Sequence, residues 1–254
     1  MYIMMIKNLI LFTALLVLSA GISAQAKDEN EEVYKLSYLE REPGIDEYEV
    51  TMLISARYIR VDEEGESSGF IIYDDKDKVI YSVSHHDESV LVIKEHVFTT
   101  DNLPVKPTIE YLPLADAPMV SGKAVFNYRV YIKESNSKAE NESEETCIEV
   151  QLVENLLPEV RTILQNYQKV VSGQQVKMSD NKITEMQTAC YYIDQIYNTG
   201  AYFEKGLPIQ EWHSNERSKI LTGYKKVTVH SDKFKIPQDY RQFSIEANSK
   251  TFIK

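Results

Sequence analysis

Apolar and polar residues alternate along most of the chain, and this pattern predicts short β-strands. VYKLSYL (33–39) alternates in this way, and YEVTMLISARYIRV (48–61) predicts one long strand. FIIYD, KVIYSVS and ESVLVIK follow one another within 70–94 and are rich in β-branched and aromatic side chains. Because alternate side chains of a strand lie on the same face, the segment 33–39 places Tyr34, Leu36 and Tyr38 on one side of a sheet.

Two polar stretches separate the last three of these segments, and they are candidates for turns or for a metal site. DDKDK (74–78) and HHDE (85–88) are rich in charged residues, which tolerate turn geometry and stay solvated. A metal site needs ligands that converge, whereas the adjacent side chains of His85 and His86 would diverge on a strand. The acidic stretch also lacks the glycine and the terminal glutamate of a calcium-binding loop. We therefore expect two turns and no metal ligands here.

The rest of the chain contains further strand patterns, interrupted by prolines and by an acidic loop. Four prolines within 101–122 predict an irregular crossing with one short strand, TIEYL (108–112). Residues 121–134 and 146–153 predict a long hairpin across the acidic loop 135–145. The final predicted strands are KGLPIQEWH (205–213), which has Pro208 at an edge position, GYKKVTVHSD (223–232) and YRQFSIEAN (240–248).

Between the hairpin and the final strands, the periodicity changes to that of amphipathic helices. Asn155 is a candidate cap for a helix that runs to about Ser172, with Gly173 beyond its end. A second helix is predicted from Lys182 to Asn198. The apolar stripes are Val160, Ile163, Leu164, Tyr167 and Val171 in the first helix, and Ile183, Met186, Cys190, Ile193 and Tyr197 in the second.

Cys147 and Cys190 are the two cysteines of the chain, and we expect them to form a disulfide. Two cysteines usually pair in an oxidising compartment. Because Cys190 lies in the apolar stripe of the second helix, the bond would attach that helix to the strand layer. Two free buried thiols are the alternative, while a thioredoxin-type centre would need a C-x-x-C motif that the sequence lacks.

Residues 1–26 have the layout of a secretory signal peptide. A lysine precedes the apolar run 9–18, and small residues follow it. The run is short for a bilayer span, and an uncleaved anchor is the alternative. Residues 27–32 predict a disordered lead, and residues 33–254 a single domain. We expect an exported, periplasmic protein that is soluble after the signal peptide is cleaved. Peripheral contact with the envelope membrane is compatible with this expectation.

Charge and motif content argue against several functional classes. The formal net charge of −11 disfavours nucleic-acid binding, since phosphates would be repelled. The sequence contains no G-x-S-x-G, no H-E-x-x-H, no glycine-rich phosphate loop and no nucleotide fingerprint. We therefore predict no cofactor, no metal and no catalytic residues. A hydrolase without a recognisable motif is a further functional hypothesis, the third beside the two stated below. Clustered, desolvated polar side chains in a cleft would favour it.

ARYIRVDEEGESSGFIIYDDKDKVIYSVSHHDESVLVI resembles the strand meander of the periplasmic lipoprotein carriers of Gram-negative bacteria and of related exported proteins of unknown role. GLPIQEW followed by VTVHSDKFKIPQDY is similar to their closing segment, in which a phenylalanine and a proline precede an aromatic residue. The resemblance covers residues 34–245. The sequence departs from the carriers in the acidic loop 135–145, in the late position of the helix pair and in the cysteine pair.

That family folds as a curved, incomplete antiparallel barrel closed by helices over an apolar hollow. The resemblance therefore implies binding of acyl chains or of lipid-modified partners. It also implies an arginine on the sheet that bonds to the helical lid, and Arg57 or Arg60 is the candidate. A curved sheet cannot fill its concave side with its own side chains. The candidates to line that side are Met52, Ile54, Tyr81, Val83, Val92, Phe126, Tyr128 and Val130.

The sequence thus predicts an α+β, mainly β domain: a curved antiparallel sheet or incomplete barrel covered by two helices. The first functional hypothesis is a non-enzymatic periplasmic binding protein for an apolar ligand, an acyl chain or a lipidated partner held between sheet and helices. The second is a structural or interaction protein of the cell envelope with a filled core. A cavity between the sheet and the helices would favour the first hypothesis over the second.

Overall fold

The computed structural model describes residues 30–63, 69–99, 106–134, 143–179, 188–197, 200–246 and 249–252. They form one curved, open sheet and two helices, which confirms the predicted mainly β, α+β class. The predicted signal peptide (1–26), the start of the predicted lead and residues 135–142 of the acidic loop lie outside these ranges. Within them, none of the helices is both long and apolar enough to cross a membrane.

In the part of the chain that the structure describes, thirteen strands make up the sheet. They are β1 (Asn30–Arg41), β2 (Tyr48–Ile54), β3 (Tyr58–Glu63), β4 (Gly69–Asp74), β5 (Val79–Ser84), β6 (Ser89–Lys94), β7 (Thr108–Pro113), β8 (Val125–Glu134), β9 (Ser143–Val153), β10 (Leu207–His213), β11 (Ser218–His230), β12 (Arg241–Glu246) and β13 (Ser249–Phe252). Their order is β13-β12-β6-β5-β4-β3-β2-β1-β11-β10-β9-β8-β7. Only β12 and β6 run parallel among the described pairs, and β1 joins the two halves of the sheet.

The predicted meander is confirmed, with one correction. β4, β5 and β6 pair in sequence, and the two polar stretches form the turns between them. The single long strand predicted over 48–61 is wrong, because this segment is the hairpin of β2 and β3. Ser55 makes the turn: its Oγ accepts hydrogen bonds from the N–H groups of Arg57 (3.2 Å) and Tyr58 (3.0 Å). A serine that bonds the backbone in this way competes with continued strand pairing.

Part of the predicted disordered lead, residues 30–32, belongs to β1. Asn30–Glu32 pair with Thr228–His230 of β11, and Glu32 accepts a hydrogen bond from the Lys226 ammonium group at 2.8 Å. The charged composition of this segment favoured disorder, but its backbone hydrogen bonds go to a neighbouring strand. Pairing with a partner distant in the sequence therefore overrides the local signal.

Pro208 lies in a strand that is interior to the sheet, although its own position resembles an edge. β10 lies between β9 and β11. The pairing of β10 with β11 begins only at Gln210, and its pairing with β9 is irregular between Pro208 and Gln210. Proline has no N–H to donate, so it is tolerated where the strand lacks one neighbour.

Apolar side chains cover both faces of the sheet. On the first, which we call the helix-covered face, the largest core cluster includes Leu36, Ile54 and Tyr128 and continues into the first helix. On the opposite side, which we call the second face, Phe234 packs against β1, β2 and β4. Phe234 ends a short 3₁₀ helix (Ser231–Phe234), and the chain after it packs Ile236 against the valines of β5 and β6. The sheet therefore lies between two layers, with the first helix on the helix-covered face and Phe234 and the chain after it on the second face.

The first helix, α1 (Pro158–Ser179), has 22 residues and extends past the predicted end. Gly173 lies inside it, so the prediction that this glycine terminates the helix is wrong. A Cβ at Gly173 would clash with the carbonyl oxygen of His96, so the absence of a side chain lets α1 pass close to the chain after β6. The predicted apolar stripe is confirmed: Val160, Ile163 and Leu164 are buried, and Tyr167 and Val171 are half-buried against the core.

We expect Gly173→Ala to destabilise the protein even though alanine favours helices. The intrinsic gain in a helix interior is about 1 kcal/mol, whereas overpacking of a closed contact costs about 1–3 kcal/mol. The free energy of unfolding, measured with urea, should fall by about 1 kcal/mol. Gly223→Ala is the matched control, because nothing lies within 4 Å of a Cβ at Gly223. Unchanged stability of the Gly173 variant would show that the close approach to His96 is not restrictive.

The predicted disulfide is confirmed: Cys147 of β9 is bonded to Cys190 of the second helix, α2 (Ala189–Tyr192). The chain continues from α2 into one π-helical turn, Ile193–Tyr197. Cys190 and Ile193 are buried, as the predicted stripe requires. The predicted start of this helix, with Ile183 and Met186, lies outside the described residues, as does the side chain of Tyr197.

Candidate functional site

A cavity of about 260 Å³ lies between α1 and the helix-covered face of the sheet. Its walls come from β1–β4, β10, β11 and α1, and also from the π-helical turn and the 3₁₀ helix Ala201–Glu204. Because β2–β4 and β10–β11 lie on opposite sides of β1, the residues they contribute form two separate parts of the wall. These two parts differ in chemistry.

The part of the wall over β2–β4 is mainly apolar, and we call it the apolar end. Alternate residues of the strands point toward α1, whose apolar stripe forms the opposite wall. Its residues are Val50, Met52, Val61 and Ile71 from the strands, with Leu164 and Val171 from α1. Glu63, the last residue of β3, lies at the margin of the apolar end and is exposed. The apolar end therefore follows from two sequence patterns: the alternation of apolar residues in the strands and their helical spacing in α1.

The part of the wall over β10 and β11 is charged, and we call it the polar end. Asp194, on the π-helical turn, is its centre, and the Asp194 side chain is 7% exposed. One carboxylate oxygen lies 2.7 Å from His213 Nδ1, and the other accepts hydrogen bonds from Arg217 (2.5 Å) and Gln195 (2.7 Å). Three partners therefore balance this buried carboxylate, as its removal from water requires.

Glu211 is the second buried carboxylate of the polar end, and only 8% of the residue is exposed. The Tyr202 hydroxyl donates a hydrogen bond to Glu211 Oε2 at 2.9 Å. His213 Nε2 lies 3.9 Å from the same oxygen, which is beyond hydrogen-bond distance. Tyr38 is buried beside this carboxylate, and Lys219 lies over the Tyr38 ring at 4.3 Å from its centroid.

The titration of these groups follows from their burial and their neighbours. Burial alone would raise the pKa of Asp194, but the His213 hydrogen bond and the nearby Arg217 charge lower that pKa below its usual value. Burial, and then the charge of Glu211, raise the pKa of the Tyr38 and Tyr202 hydroxyls well above the usual value. Both hydroxyls therefore keep their protons at neutral pH, and Tyr202 can act as a donor.

The eight residues that we predicted to line a hollow lie on both faces of the sheet. Met52, Ile54, Phe126, Tyr128 and Val130 belong to the core of the helix-covered face, whereas Tyr81, Val83 and Val92 pack on the second face. Of the eight, Met52 alone lines the cavity described above. Ile80 faces α1, so the adjacent Tyr81 points to the other side of the sheet. Contact of the eight with a ligand stays a prediction.

The two arginines that the resemblance suggested as lid contacts have other partners. Arg57 donates hydrogen bonds to the buried carboxylate of Asp74 at 2.9 and 2.5 Å. Arg60 donates to the carbonyl oxygen of Lys233 at 2.9 Å and lies 3.8 Å from the centroid of the Phe70 ring. Within the described chain, the hydrogen bonds and ring contacts of both arginines go to strands, to the turn 74–78 and to the 3₁₀ helix Ser231–Phe234, and none goes to α1.

A carboxylate in the first acidic turn makes a polar contact with α1. Asp75 Oδ1 accepts a hydrogen bond from the Asn166 side chain at 2.9 Å. The same oxygen accepts hydrogen bonds from the Tyr73 hydroxyl (2.9 Å) and from Lys78 (2.6 Å). The predicted turn at 74–78 therefore also joins α1 to the meander.

Sequence reasoning missed the polar end of the cavity. The signal available was QEWH in β10: Glu211 and His213 are two residues apart and so share one face of the strand. A histidine at the end of a strand usually lies at the surface, but the His213 side chain is only 13% exposed. No sequence spacing connects Asp194 to β10. Among the residues that the structure describes, no group of three or more His, Cys, Asp or Glu could hold a metal ion.

Comparisons with known proteins add little. No protein-family model matches the chain, and no curated protein matches it. Two solved structures of PNGF-II, in space groups C2 and P21, are similar with TM-scores of 0.38 and 0.36 and sequence identities of 12% and 10%. Each match covers 85% of this chain, which spans only 31% and 32% of those chains. A likeness at this level carries no argument about function.

Proposed function

We propose that this chain is a non-enzymatic binding protein of the periplasm, similar to the lipoprotein carriers in its mode of binding. In this proposal, the cavity under α1 holds the apolar part of a small ligand or of a lipid-modified partner protein, such as a short acyl chain. The observation that carries the proposal is the cavity of about 260 Å³, walled at one end by strand and helix side chains that are apolar. The disulfide supports export, because such bonds persist in oxidising compartments.

The size of the cavity bears on the alternatives. Small-molecule pockets have volumes of about 300–1,000 Å³. At about 260 Å³ this cavity lies just below that range, so it suits a short chain. The cavity opens to solvent beside the exposed residues Arg41, Glu42 and Glu63, so a ligand has a path into it. The cavity therefore favours ligand binding over the hypothesis of a purely structural envelope protein.

Hydrolysis is a second candidate function, and the pairing of Asp194 with His213 favours it. A carboxylate that bonds His Nδ1 orients the imidazole as in a general base, and both groups line the cavity. However, the group nearest to His213 Nε2 is the Glu211 carboxylate, at 3.9 Å. None of the described hydrogen bonds joins this imidazole to a serine, threonine or cysteine, so binding without catalysis remains our first proposal.

Filling the cavity tests the binding function. N-phenyl-1-naphthylamine, a neutral probe, fluoresces in apolar surroundings, and the wild-type protein should increase its fluorescence in a saturable way. Val171→Trp should fill the apolar end, because the half-buried Val171 lines the cavity. We expect binding about tenfold weaker or undetectable, because loss of the apolar contact area removes roughly 1.4 kcal/mol or more.

Val229→Trp is the matched control, since Val229 is also half-buried but packs on the second face of the sheet. Circular dichroism of both variants checks that they fold. Equal binding by wild type and the Val171 variant would place the probe elsewhere, and no binding by wild type would remove the support for an apolar ligand.

A further inference from the structure

The polar end of the cavity contains a buried carboxylate whose hydrogen-bonding capacity is only partly used. Glu211 Oε2 accepts the Tyr202 hydroxyl, but Glu211 Oε1 accepts no hydrogen bond from the described residues. Asn127 Oδ1 is the only fully buried, unpartnered side-chain atom in the described part of the chain. Glu211 Oε1 is therefore not sealed by protein, and the residue lines the cavity. A carboxylate that is mostly removed from water but faces open space has room for one more partner.

The charges around Glu211 do not supply that partner. Among the described residues that line the cavity, five carry a carboxylate and three are lysine or arginine. Arg217 is already paired with Asp194 at 2.5 Å, and Lys219 with Glu40 at 2.6 Å. The third cation, Arg41, is exposed. Thus the basic groups nearest to Glu211 are engaged elsewhere, and the cavity has a formal excess of negative charge.

A cationic ligand group would offset this excess. An ionised carboxylate removed from water is unfavourable unless a cation or several donors compensate it. An anionic group in the same place would meet an uncompensated carboxylate, which costs affinity. An ammonium group combines positive charge with hydrogen-bond donors, and Lys219 over the Tyr38 ring shows that an ammonium is accommodated in this wall.

We propose that the polar end of the cavity binds the ammonium head group of a small cationic amphiphile, with Glu211 as its counter-ion. The alkyl part of such a ligand then extends toward Met52 and Val171 at the apolar end. This inference rests on the proposed function of the cavity and adds the charge of the ligand to it. Glu211 binds the head group directly, while Tyr202 holds the carboxylate in place through its hydroxyl.

Isothermal titration calorimetry with three compounds of equal chain length tests the proposal. Octylammonium chloride, sodium octanoate and 1-octanol, all below their aggregation limits, are titrated into the full chain at pH 7. We expect octylammonium to bind at least about tenfold more tightly than octanoate, with octanol between them. Methylammonium, which has the charge but no chain, should bind much more weakly than octylammonium, since it cannot reach the apolar end.

The variant Glu211→Gln should abolish the preference for octylammonium. It keeps the length of the side chain and an acceptor for the Tyr202 hydroxyl, but it removes the charge. Glu49→Gln is the matched control, because Glu49 is an exposed carboxylate on the neighbouring half of the sheet and does not line the cavity. This control should retain the wild-type preference.

The outcomes separate the two proposals. Equal binding of the three octyl compounds, or tighter binding of octanoate, would overturn the head-group proposal while leaving an apolar ligand in place. A preference that persists in Glu211→Gln would overturn the role of Glu211. If none of the octyl compounds binds to the wild-type protein, both the head-group proposal and the proposed binding function fail.

Discussion

Replacing Asp194 with alanine should lower the free energy of unfolding by about 3 kcal/mol, a large fraction of the stability of a typical domain. The Asp194 carboxylate is the shared acceptor for His213, Arg217 and Gln195. Breaking a buried ion pair costs about 3–5 kcal/mol, because a charged partner is left without compensation. Arg217 is 33% exposed and can regain water, so we expect the lower end of that range. Urea unfolding followed by circular dichroism measures the effect.

Asp232→Ala is the matched control for this variant. Asp232 has the same kinds of partner, with His230 at 2.9 Å and an ion pair to Lys235, but its side chain is 55% exposed. Exposed ion pairs contribute little, since water replaces the lost contacts. The unfolding midpoint of this control should stay close to that of wild type. If the two variants are equally stable, then burial of Asp194 does not determine its contribution.

The contribution of Asp194 should also depend on pH. Its pKa in the folded protein lies below the usual value, which is about 3.9 for an unfolded aspartate. Stability gained from such a group is fully present above the unfolded pKa and is lost as the pH falls through the lower folded pKa. The difference in stability between wild type and Asp194→Ala should therefore shrink as the pH falls below about 4. A difference that grows in acid would contradict this assignment.

Removing the disulfide is the second change with a large expected effect. Cys147 and Cys190 are 43 residues apart, and closing a loop of this length contributes about 4 kcal/mol by restricting the unfolded chain. The double variant Cys147→Ala, Cys190→Ala should be less stable by about 3–4 kcal/mol in urea. Both sulfur atoms are buried, so alanine, which is apolar, introduces no unpaired polar group.

The reduced wild-type protein provides the control for this experiment. Reductant should shift its unfolding midpoint toward that of the double variant, and reductant should have no effect on the double variant itself. Since Asp194 lies one turn after Cys190, the bond also holds the wall of the polar end against β9. Amide exchange at residues 188–197 should therefore accelerate in the variant before exchange in β9 does. Coincident unfolding curves with and without reductant would show that the bond adds no stability.

Local patterns were sufficient wherever the structure depends on neighbours in the sequence. The strands β4, β5 and β6 were predicted from alternating residues and acidic turns, and they pair in that order. The apolar stripe of α1 was predicted from helical spacing and packs on the core. The cysteine pair was predicted because the chain offers no other partner for either thiol.

Two errors arose where a local signal has more than one structural meaning. The residues on both sides of Ser55 have a strand pattern, but Ser55 closes a turn because its Oγ accepts hydrogen bonds from the backbone. Gly173 fits a helix end, but it lies within α1 because His96 approaches the helix at that point. In both cases the decisive contact is with an atom that the sequence pattern does not identify.

The sequence by itself determined the β-rich class, the meander, the apolar stripe of α1 and the pairing of the cysteines. Each of these follows from side-chain periodicity, turn chemistry or a count of residues. Tertiary structure decided which face of the sheet α1 covers and where the cavity lies. It also decided that Asp194 meets His213 and Arg217, and that Glu211 lines the cavity with its carboxylate bonded to the Tyr202 hydroxyl. These depend on the position of β10 and β11 beside β1, an order that long-range backbone pairing sets and local sequence does not encode.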